Sequence, residues 1–161
     1  MKRIQKIRSE LIAGNVVIMP TETIYGLLVL KKFQDKLYEL KKRPEKVVFA
    51  NVFSSIEDAL EQLESDPLIE NLLKSLLPGP FTIIAKAKSG EKLGIRIPDH
   101  ELFLEVIKPI KEELVMTSVN LHGNPPAISF EEAVSAFPGI PALDGGIPKY
   151  SRPSVILEVK R

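Results

Sequence analysis

Hydrophobic positions along the chain follow helical spacing in some stretches and strand-like runs in others, and the two kinds alternate. Ile4, Ile7 and Leu11 recur at helical spacing within residues 3–13, and the β-branched run 16–18 that follows is typical of a buried strand. The same pattern predicts further helices near 33–42, 55–64 and 99–108, one after Asp66-Pro67 and one after Ser129, and further strands near 47–53, 81–87, 94–97, 113–117 and 155–159. Alternating helices and strands predict an α/β fold.

Capping and turn signals refine this picture. Asp66 followed by Pro67 is an N-cap with proline at the first helical position, and Ser129 with Glu132 three residues later forms a capping box. The predicted turn at 88–92 joins two strands and indicates a β-hairpin, in which neighbouring strands run antiparallel. We therefore expect a mixed sheet with helices packed on it, not a purely parallel sheet.

Length and composition indicate how many domains the chain forms and in which compartment it is expected. With 161 residues, 44% of them hydrophobic, the chain is long enough for one core, so residues 1–161 are predicted to form a single domain. The apolar runs fall far short of the roughly 20 residues that a membrane helix needs. The basic N-terminus lacks the apolar stretch of a signal peptide. From these two absences we expect no membrane contact, and the absence of cysteine fits a reducing cytosol, so we expect a cytoplasmic protein.

The charge balance gives no general sign of a nucleic-acid-binding surface. Twenty-two Lys and Arg stand against 21 Asp and Glu, which leaves a net charge of +1. A basic site must therefore be local. The alternate cations Lys41 and Arg43, beside Pro44, suit a polyphosphate, with arginine binding in a bidentate manner and lysine as a point charge. Helix C-termini also favour cations through the macrodipole, so spacing alone does not decide between the two interpretations.

Three further segments place polar side chains in or at the ends of predicted strands, where binding sites are commonly built. Thr21 and Thr23 lie in a polar turn after the first strand and suit a ligand or a capped turn equally. Arg96 lies in an otherwise apolar strand and must reach an edge, an acid or a ligand, because a buried unpaired guanidinium is too costly. Ser118 and Asn120 are two residues apart at the end of another strand, so their side chains face the same way in extended backbone.

Sequence motifs of several common enzyme classes are missing. The sequence has no Gly-x-x-x-x-Gly-Lys-Ser/Thr loop, no Gly-x-Gly-x-x-Gly turn and no His-x-x-x-His pair. Chemistry of the P-loop, Rossmann and zinc types is therefore disfavoured, and we predict no metal ligands among the site residues. A Ser-His-Asp hydrolase also lacks support, because no Gly-x-Ser-x-Gly elbow is present.

Taken in chain order, six segments resemble the Sua5/YciO/YrdC family: residues 20–27, 41–44, 78–82, 96–99 and 118–120, and Gly123. The resemblance extends over roughly residues 10–158. It implies an open, twisted α/β sheet with a concave, positively lined cavity. It also implies a synthase that joins L-threonine, bicarbonate and ATP into threonylcarbamoyl-adenylate and pyrophosphate for tRNA threonylcarbamoyladenosine modification. Mg²⁺ would accompany the nucleotide, and tRNA-modification proteins would be partners.

The resemblance further implies roles for nine residues. The catalytic cations beside the phosphates would be Lys41 and Arg43. The substrate side, for threonine or the carbamoyl group, would comprise Thr21, Thr23, Tyr25 and Arg96. The nucleotide side would comprise Ser118, Asn120 and Ser154.

Two other functions are open on the sequence alone. A family member that keeps the fold and the basic cavity could bind tRNA or double-stranded RNA without synthase activity, and its affinity would then fall steeply with salt. A nucleotide-binding regulatory or hydrolytic protein would bind ATP, but its turnover would not depend on both threonine and bicarbonate.

Overall fold

A computed structural model describes residues 2–42, 49–120 and 123–160. The helices are α1 (Lys2–Ile12), α2 (Asp35–Lys41), α3 (Ile56–Gln62), α4 (Pro67–Leu76), α5 (Glu101–Ile107) and α6 (Phe130–Ala136). The strands are β1 (Val17–Met19), β2 (Gly26–Leu30), β3 (Ala50–Val52), β4 (Phe81–Lys86), β5 (Lys92–Arg96), β6 (Leu114–Ser118) and β7 (Val155–Glu158). Among these helices, of which α1 is the longest at 11 residues, none has the length and apolar character needed to cross a bilayer.

The strands form one open sheet in the order β1-β2-β6-β3-β5-β4-β7. Strands β3 and β5 pair in parallel, as do β4 and β7, and the other four neighbouring pairs are antiparallel. The predicted mixed sheet is confirmed, and so is the hairpin, because β4 and β5 pair from Ile83 with Ile95 to Lys86 with Lys92.

Local capping explains where two of the helices begin. The Asp66 carboxylate accepts the backbone N–H of Leu68 at 2.9 Å. The Ser129 hydroxyl accepts the N–H of Glu132 at 3.1 Å, and the Glu132 carboxylate accepts the N–H of Ile128 at 3.0 Å. Each cap of this kind stabilises its helix by about 1 kcal/mol. Both predicted caps are therefore confirmed.

The sequence prediction missed strand β2. Its five residues are all buried, and they follow directly on the polar turn that drew attention in the sequence. A strand that is buried on both faces has no alternation of polar and apolar residues, so period-2 analysis does not detect it. The predicted strand 47–53 is shorter in the structure, where β3 begins at Ala50, and residues 47 and 48 lie outside the described part of the chain.

Helices cover the two faces of the sheet unequally. One face packs against α2 and α6 at one end and against α3 and α4 at the other. The opposite face is covered by α1 and α5 where Leu11 and Phe103 meet Leu28 and Leu30. Burying each such side chain contributes about 1.5–3 kcal/mol. Among the described residues, no helix covers the rest of this second face over β5, β4 and β7, and a cavity lies there that extends to the ends of β2, β3 and β6.

Candidate functional site

A cavity of 440 Å³ lies on the part of the sheet that α1 and α5 leave open. This volume is in the usual range of about 300–1,000 Å³ for small-molecule sites. Small residues on three strands, Gly26, Ala50 and Gly94, create the hollow. A Cβ atom on Gly94 would lie 3.3 Å from Thr82 Cγ2, so a larger side chain there would project into the cavity.

The first polar cluster at the cavity surrounds Lys41, the last residue of α2. Lys41 is 2% exposed, and its ammonium donates to Ser118 O at 2.6 Å and to Asn120 Oδ1 at 2.7 Å. The Ser118 hydroxyl donates to the same Asn120 oxygen at 2.6 Å. Ser118 also lines the cavity and so connects the cluster to it. The fold thus brings a predicted cation next to two predicted polar residues nearly 80 positions away in the chain.

The second cluster is a buried ion pair between Arg96 and Glu22, whose side chains are each 3% exposed. Arg96 Nη2 lies 2.5 Å from Glu22 Oε1, and Nη1 lies 3.3 Å from Oε2. Nη1 also donates to the carbonyl of Gly79, and the Asp99 N–H donates to Glu22 Oε2 at 2.5 Å. Of the partners that the sequence left open for Arg96, the structure shows an acid, Glu22. Arg96 lines the cavity, but the carboxylate compensates its charge.

The two threonines of the polar turn line the cavity beside this ion pair. Thr21 Oγ1 accepts the N–H groups of Thr23 and Ile24, each at 3.1 Å, and donates to Ile24 O at 2.5 Å. Thr23 Oγ1 lies 3.0 Å from Thr21 Oγ1 and accepts from Arg96 Nη2 at 3.2 Å. Thr21 caps the turn, and both threonines line the cavity. Their contact with a ligand stays a prediction.

Tyr25 holds a loop beside the cavity. Its hydroxyl donates to Gly146 O at 2.8 Å and accepts the N–H of Gly145 at 3.0 Å. Burial raises the pKa of Tyr25 above its ordinary value, although the bond from Gly145 opposes this, so the phenol is neutral at physiological pH. Gly145 packs so closely on Pro20 that a Cβ atom there would collide with it.

Ser154 lines the cavity at the β7 side, where its hydroxyl lies 2.8 Å from Thr82 Oγ1. The rim on this side carries a second ion pair, between Lys92 and Glu158, with the two charged atoms 2.5 Å apart. The sequence predicted no role for Glu22, Thr82, Lys92 or Glu158. Glu22 lies in the segment 20–27 that resembles the family, but nothing in the local sequence indicated an ion pair between Lys92 and Glu158.

The predicted site residues are largely brought together. The cavity lining includes Thr21, Thr23, Tyr25, Arg96, Ser118 and Ser154, and Lys41 and Asn120 adjoin it through Ser118. Arg43 lies outside the described residues. Across residues 2–42, 49–120 and 123–160, no group of three or more His, Cys, Asp or Glu side chains is placed to hold a metal ion.

Fold and cavity together define an α/β protein with a cavity on the open face of a mixed sheet. The Sua5/YciO/YrdC family model, described as "Telomere recombination", matches residues 9–161. The chain belongs to this family.

Relatives and a solved structure extend this result. The human threonylcarbamoyl-AMP synthase is 32% identical in a match that covers 86% of this chain and 54% of the human protein. The threonylcarbamoyl-AMP synthase of Vibrio campbellii is 28% identical in a match that covers 99% of this chain and 96% of that protein. The crystal structure of P. abyssi Sua5 complexed with L-threonine has the same fold, with a TM-score of 0.90 at 24% identity, over 98% of this chain and 51% of that one. The chain thus spans about half the length of the human and P. abyssi proteins.

Proposed function

We propose that the protein is a synthase that makes threonylcarbamoyl-adenylate and pyrophosphate from L-threonine, bicarbonate and ATP, for the threonylcarbamoyladenosine modification of tRNA. Its family membership and the names of its relatives support this function. The observation that carries the proposal is the buried Lys41 ammonium, 2.6 Å from the backbone oxygen of Ser118, which lines the 440 Å³ cavity, and 2.7 Å from Asn120 Oδ1.

The proposed reaction has two balanced steps. The amine of threonine and bicarbonate condense to a carbamate with loss of water. A carbamate oxygen then attacks the α-phosphorus of ATP, the bond from that phosphorus to the bridging oxygen breaks, and pyrophosphate leaves with the electron pair. Such a displacement depends mainly on positioning and on cations that stabilise the developing charge. It requires no nucleophile from the protein.

Within this proposal the two clusters have different tasks. Lys41 exchanges its bond to Asn120 for a phosphate oxygen, with Arg43 as the second cation. Ser118, Asn120 and Ser154 contact the nucleotide. On the other side, Thr21, Thr23 and Arg96 contact threonine or the carbamoyl group, and Tyr25 contributes by holding the loop at Gly145 against the cavity.

Magnesium has a limited place in this proposal. The described residues offer no cluster of carboxylates or histidines for it. We therefore expect Mg²⁺ to arrive on the phosphates of ATP, where it would neutralise part of their charge.

Pyrophosphate release from ATP tests the proposal, with threonine and bicarbonate each omitted in turn. Release should require both. Lys41→Ala should lower turnover by about 100-fold or more, the usual effect of removing one group that stabilises transition-state charge. The matched control is Lys36→Ala on the same helix, because the Lys36 ammonium donates to Gly14 O at 2.6 Å, away from the cavity. Its turnover should stay near that of the wild type.

Other outcomes would identify the competing functions. Unchanged turnover in a folded Lys41→Ala variant would contradict the assigned role. Hydrolysis of ATP that is indifferent to threonine and bicarbonate would indicate a nucleotide-hydrolysing protein. Retention of tRNA or double-stranded RNA on filters, falling steeply with salt and without pyrophosphate release, would indicate the RNA-binding alternative.

A further inference from the structure

A second cavity, here called the back cavity, lies on the face of the sheet opposite the 440 Å³ cavity. It measures 430 Å³, and its lining includes Tyr38 of α2, Phe49, Asn51 of β3, Leu93 of β5 and Val115 of β6. Asn51 lies directly opposite Val115 in the sheet, and residues paired in this way point to the same face. Val115 belongs to the core beneath α2 and α6, whereas Ala50, the neighbour of Asn51, lines the 440 Å³ cavity. The side chain of Asn51 therefore points to the helix-covered face.

The carboxamide of Asn51 is buried without a hydrogen bond inside the protein. Asn51 is 6% exposed, and within residues 2–42, 49–120 and 123–160 no group donates to its side chain or accepts from it. The other buried polar side chains in these ranges all form hydrogen bonds, and they are Thr21, Glu22, Thr23, Lys41, Thr82 and Arg96. Each of them lines the 440 Å³ cavity or contacts a residue that does. Asn51 is the exception on both counts.

Both polar atoms of Asn51 are open to a ligand. Among the described residues, no side-chain nitrogen or oxygen is both closed off from solvent and without a hydrogen bond. The unpartnered amide nitrogen and oxygen of Asn51 are therefore accessible, and the spaces that this side chain lines are the back cavity and a cavity of 290 Å³. An apolar side chain of the same shape would avoid the desolvation of an unpaired amide, so the carboxamide does not favour folding.

The lining of the back cavity fits a flat, neutral ligand. The buried polar group is an uncharged amide, which presents a donor and an acceptor side by side in one plane. An asparagine amide binds adenine in this paired manner, through the N6 amino group and the ring nitrogen N7. The rings of Tyr38 and Phe49, with centroids 4.5 Å apart, line the same cavity, and aromatic side chains stack on nucleobases. The volume lies in the usual range of about 300–1,000 Å³ for small-molecule sites.

We propose that the back cavity is a binding site for a small ligand that carries an adenine base, held by paired hydrogen bonds to Asn51. The charged residues in the lining have both signs, Lys31 and Lys92 against Glu91, so the site does not require a phosphate and a nucleoside suffices. This inference goes beyond the proposed function, because the site lies on the other face of the sheet and Asn51 has no part in the proposed synthesis.

NMR titration of the whole chain with adenosine tests the proposal, because side-chain amides report separately on the two faces. The N–H₂ signals of Asn51 report on the back cavity, and those of Asn120, which contacts Lys41, report on the other site. Phe49 and Lys92 line both cavities, so their signals do not separate the two. Adenosine should shift the Asn51 signals saturably. N6,N6-dimethyladenosine keeps the rings and the ribose but has no N6–H donor, so it should bind at least about ten times more weakly there.

Asn51→Leu removes both hydrogen-bonding atoms and keeps a side chain of similar size. The shifts that adenosine causes at the backbone N–H groups of Leu93 and Val115 should then require about ten times more adenosine or disappear. The urea midpoint should not fall below that of the wild type, because leucine has no polar group to desolvate. The matched control is Asn71→Leu, since Asn71 is exposed on α4 and lines neither cavity, and it should bind adenosine like the wild type.

Shifts confined to Asn120 would place adenosine at the other site alone and would overturn the inference. Equal affinity for the two nucleosides, or equal affinity of Asn51→Leu and the wild type, would also overturn it and would mean that water alone satisfies the Asn51 amide. The comparison of nucleosides needs only the wild type, so it decides the matter even if Asn51→Leu does not fold. Pyrophosphate release separates this result from the proposed function, because its absence would reject the synthase and leave adenosine binding at Asn51 intact.

Discussion

Two ion pairs on strand β5 flank the same cavity, and they differ in exposure, not in distance. Both have their charged atoms 2.5 Å apart. The pair between Arg96 and Glu22 has side chains that are each 3% exposed, whereas Lys92 and Glu158 are 68% and 30% exposed. The two cations are four residues apart on one strand, so a buried Arg–Glu pair and an exposed Lys–Glu pair can be compared within the same sheet.

Solvent decides what each pair contributes. At the rim, the hydrogen bond from Lys92 lowers the pKa of Glu158 below its ordinary value, but water and salt screen the attraction and offer each group other partners. At the other end of β5, Arg96 and Glu22 are nearly excluded from solvent, so removing either partner would leave a buried charge without its counter-charge. The cavity therefore has one wall of fixed geometry, at Thr23, and one rim whose charges can turn toward a ligand.

The largest expected effect comes from removing one partner of the buried pair. Arg96→Met leaves the Glu22 carboxylate buried without its cation, which should lower the free energy of unfolding by about 3–5 kcal/mol. Urea denaturation followed by circular dichroism measures it. The double variant Glu22→Gln/Arg96→Met buries no charge and should be less destabilised than Arg96→Met alone. Equal stability of Arg96→Met and the wild type would show that burial does not make this pair interdependent.

Separation along the chain decides which of these contacts the sequence could predict. The caps at Asp66 and Ser129 and the β4–β5 hairpin were predictable, because the groups that interact lie within a few residues of each other. The sequence also required a partner for Arg96. It did not identify that partner, since Glu22 is 74 positions away and only the fold brings the two together.

The contacts of the candidate site also join residues that are far apart in the sequence. Lys41, Ser118 and Asn120 were each compatible with an ordinary structural role, and a family resemblance was needed to group them before the fold was known. Their contacts depend on how α2 and β6 pack, which hydrophobic periodicity does not encode. The loop that Tyr25 holds at Gly146 lies about 120 residues further along the chain and was beyond prediction for the same reason.

A second prediction concerns the floor between the two ion pairs. Gly94 lies midway between Lys92 and Arg96, and Gly94→Val would add methyl groups to the floor next to Thr82. With ATP bound, these methyl groups would crowd the nucleotide. Crowding of this kind costs about 1–3 kcal/mol of binding free energy, so the affinity for ATP should fall about tenfold or more. Valine is well suited to a strand, so the unfolding midpoint should change little. Calorimetric titration with ATP measures the first effect and thermal denaturation the second.

Gly94→Ala is the graded control for that experiment. Its single methyl group would lie 3.3 Å from Thr82 Cγ2, a contact that small shifts can relieve, so the loss of affinity should be smaller than for Gly94→Val. Full ATP affinity in Gly94→Val would mean that the nucleotide does not use the floor between the two pairs.

The smallest expected effect belongs to the rim pair. Glu158→Gln should leave the urea midpoint at neutral pH and 0.15 M salt unchanged within error, because an exposed pair is screened and the glutamine remains hydrogen-bonded to water.

The pH dependence of this pair is a sharper test. The pKa of Glu158 is lowered in the folded protein. Any stability that the pair contributes is therefore present above the ordinary carboxylate pKa of about 4.3, and it is lost as the pH falls through the lowered pKa of the folded protein. The stability curves of variant and wild type should therefore meet at acid pH, and any difference should appear only above it. A loss at neutral pH as large as that of Arg96→Met would mean that exposure does not separate the two pairs.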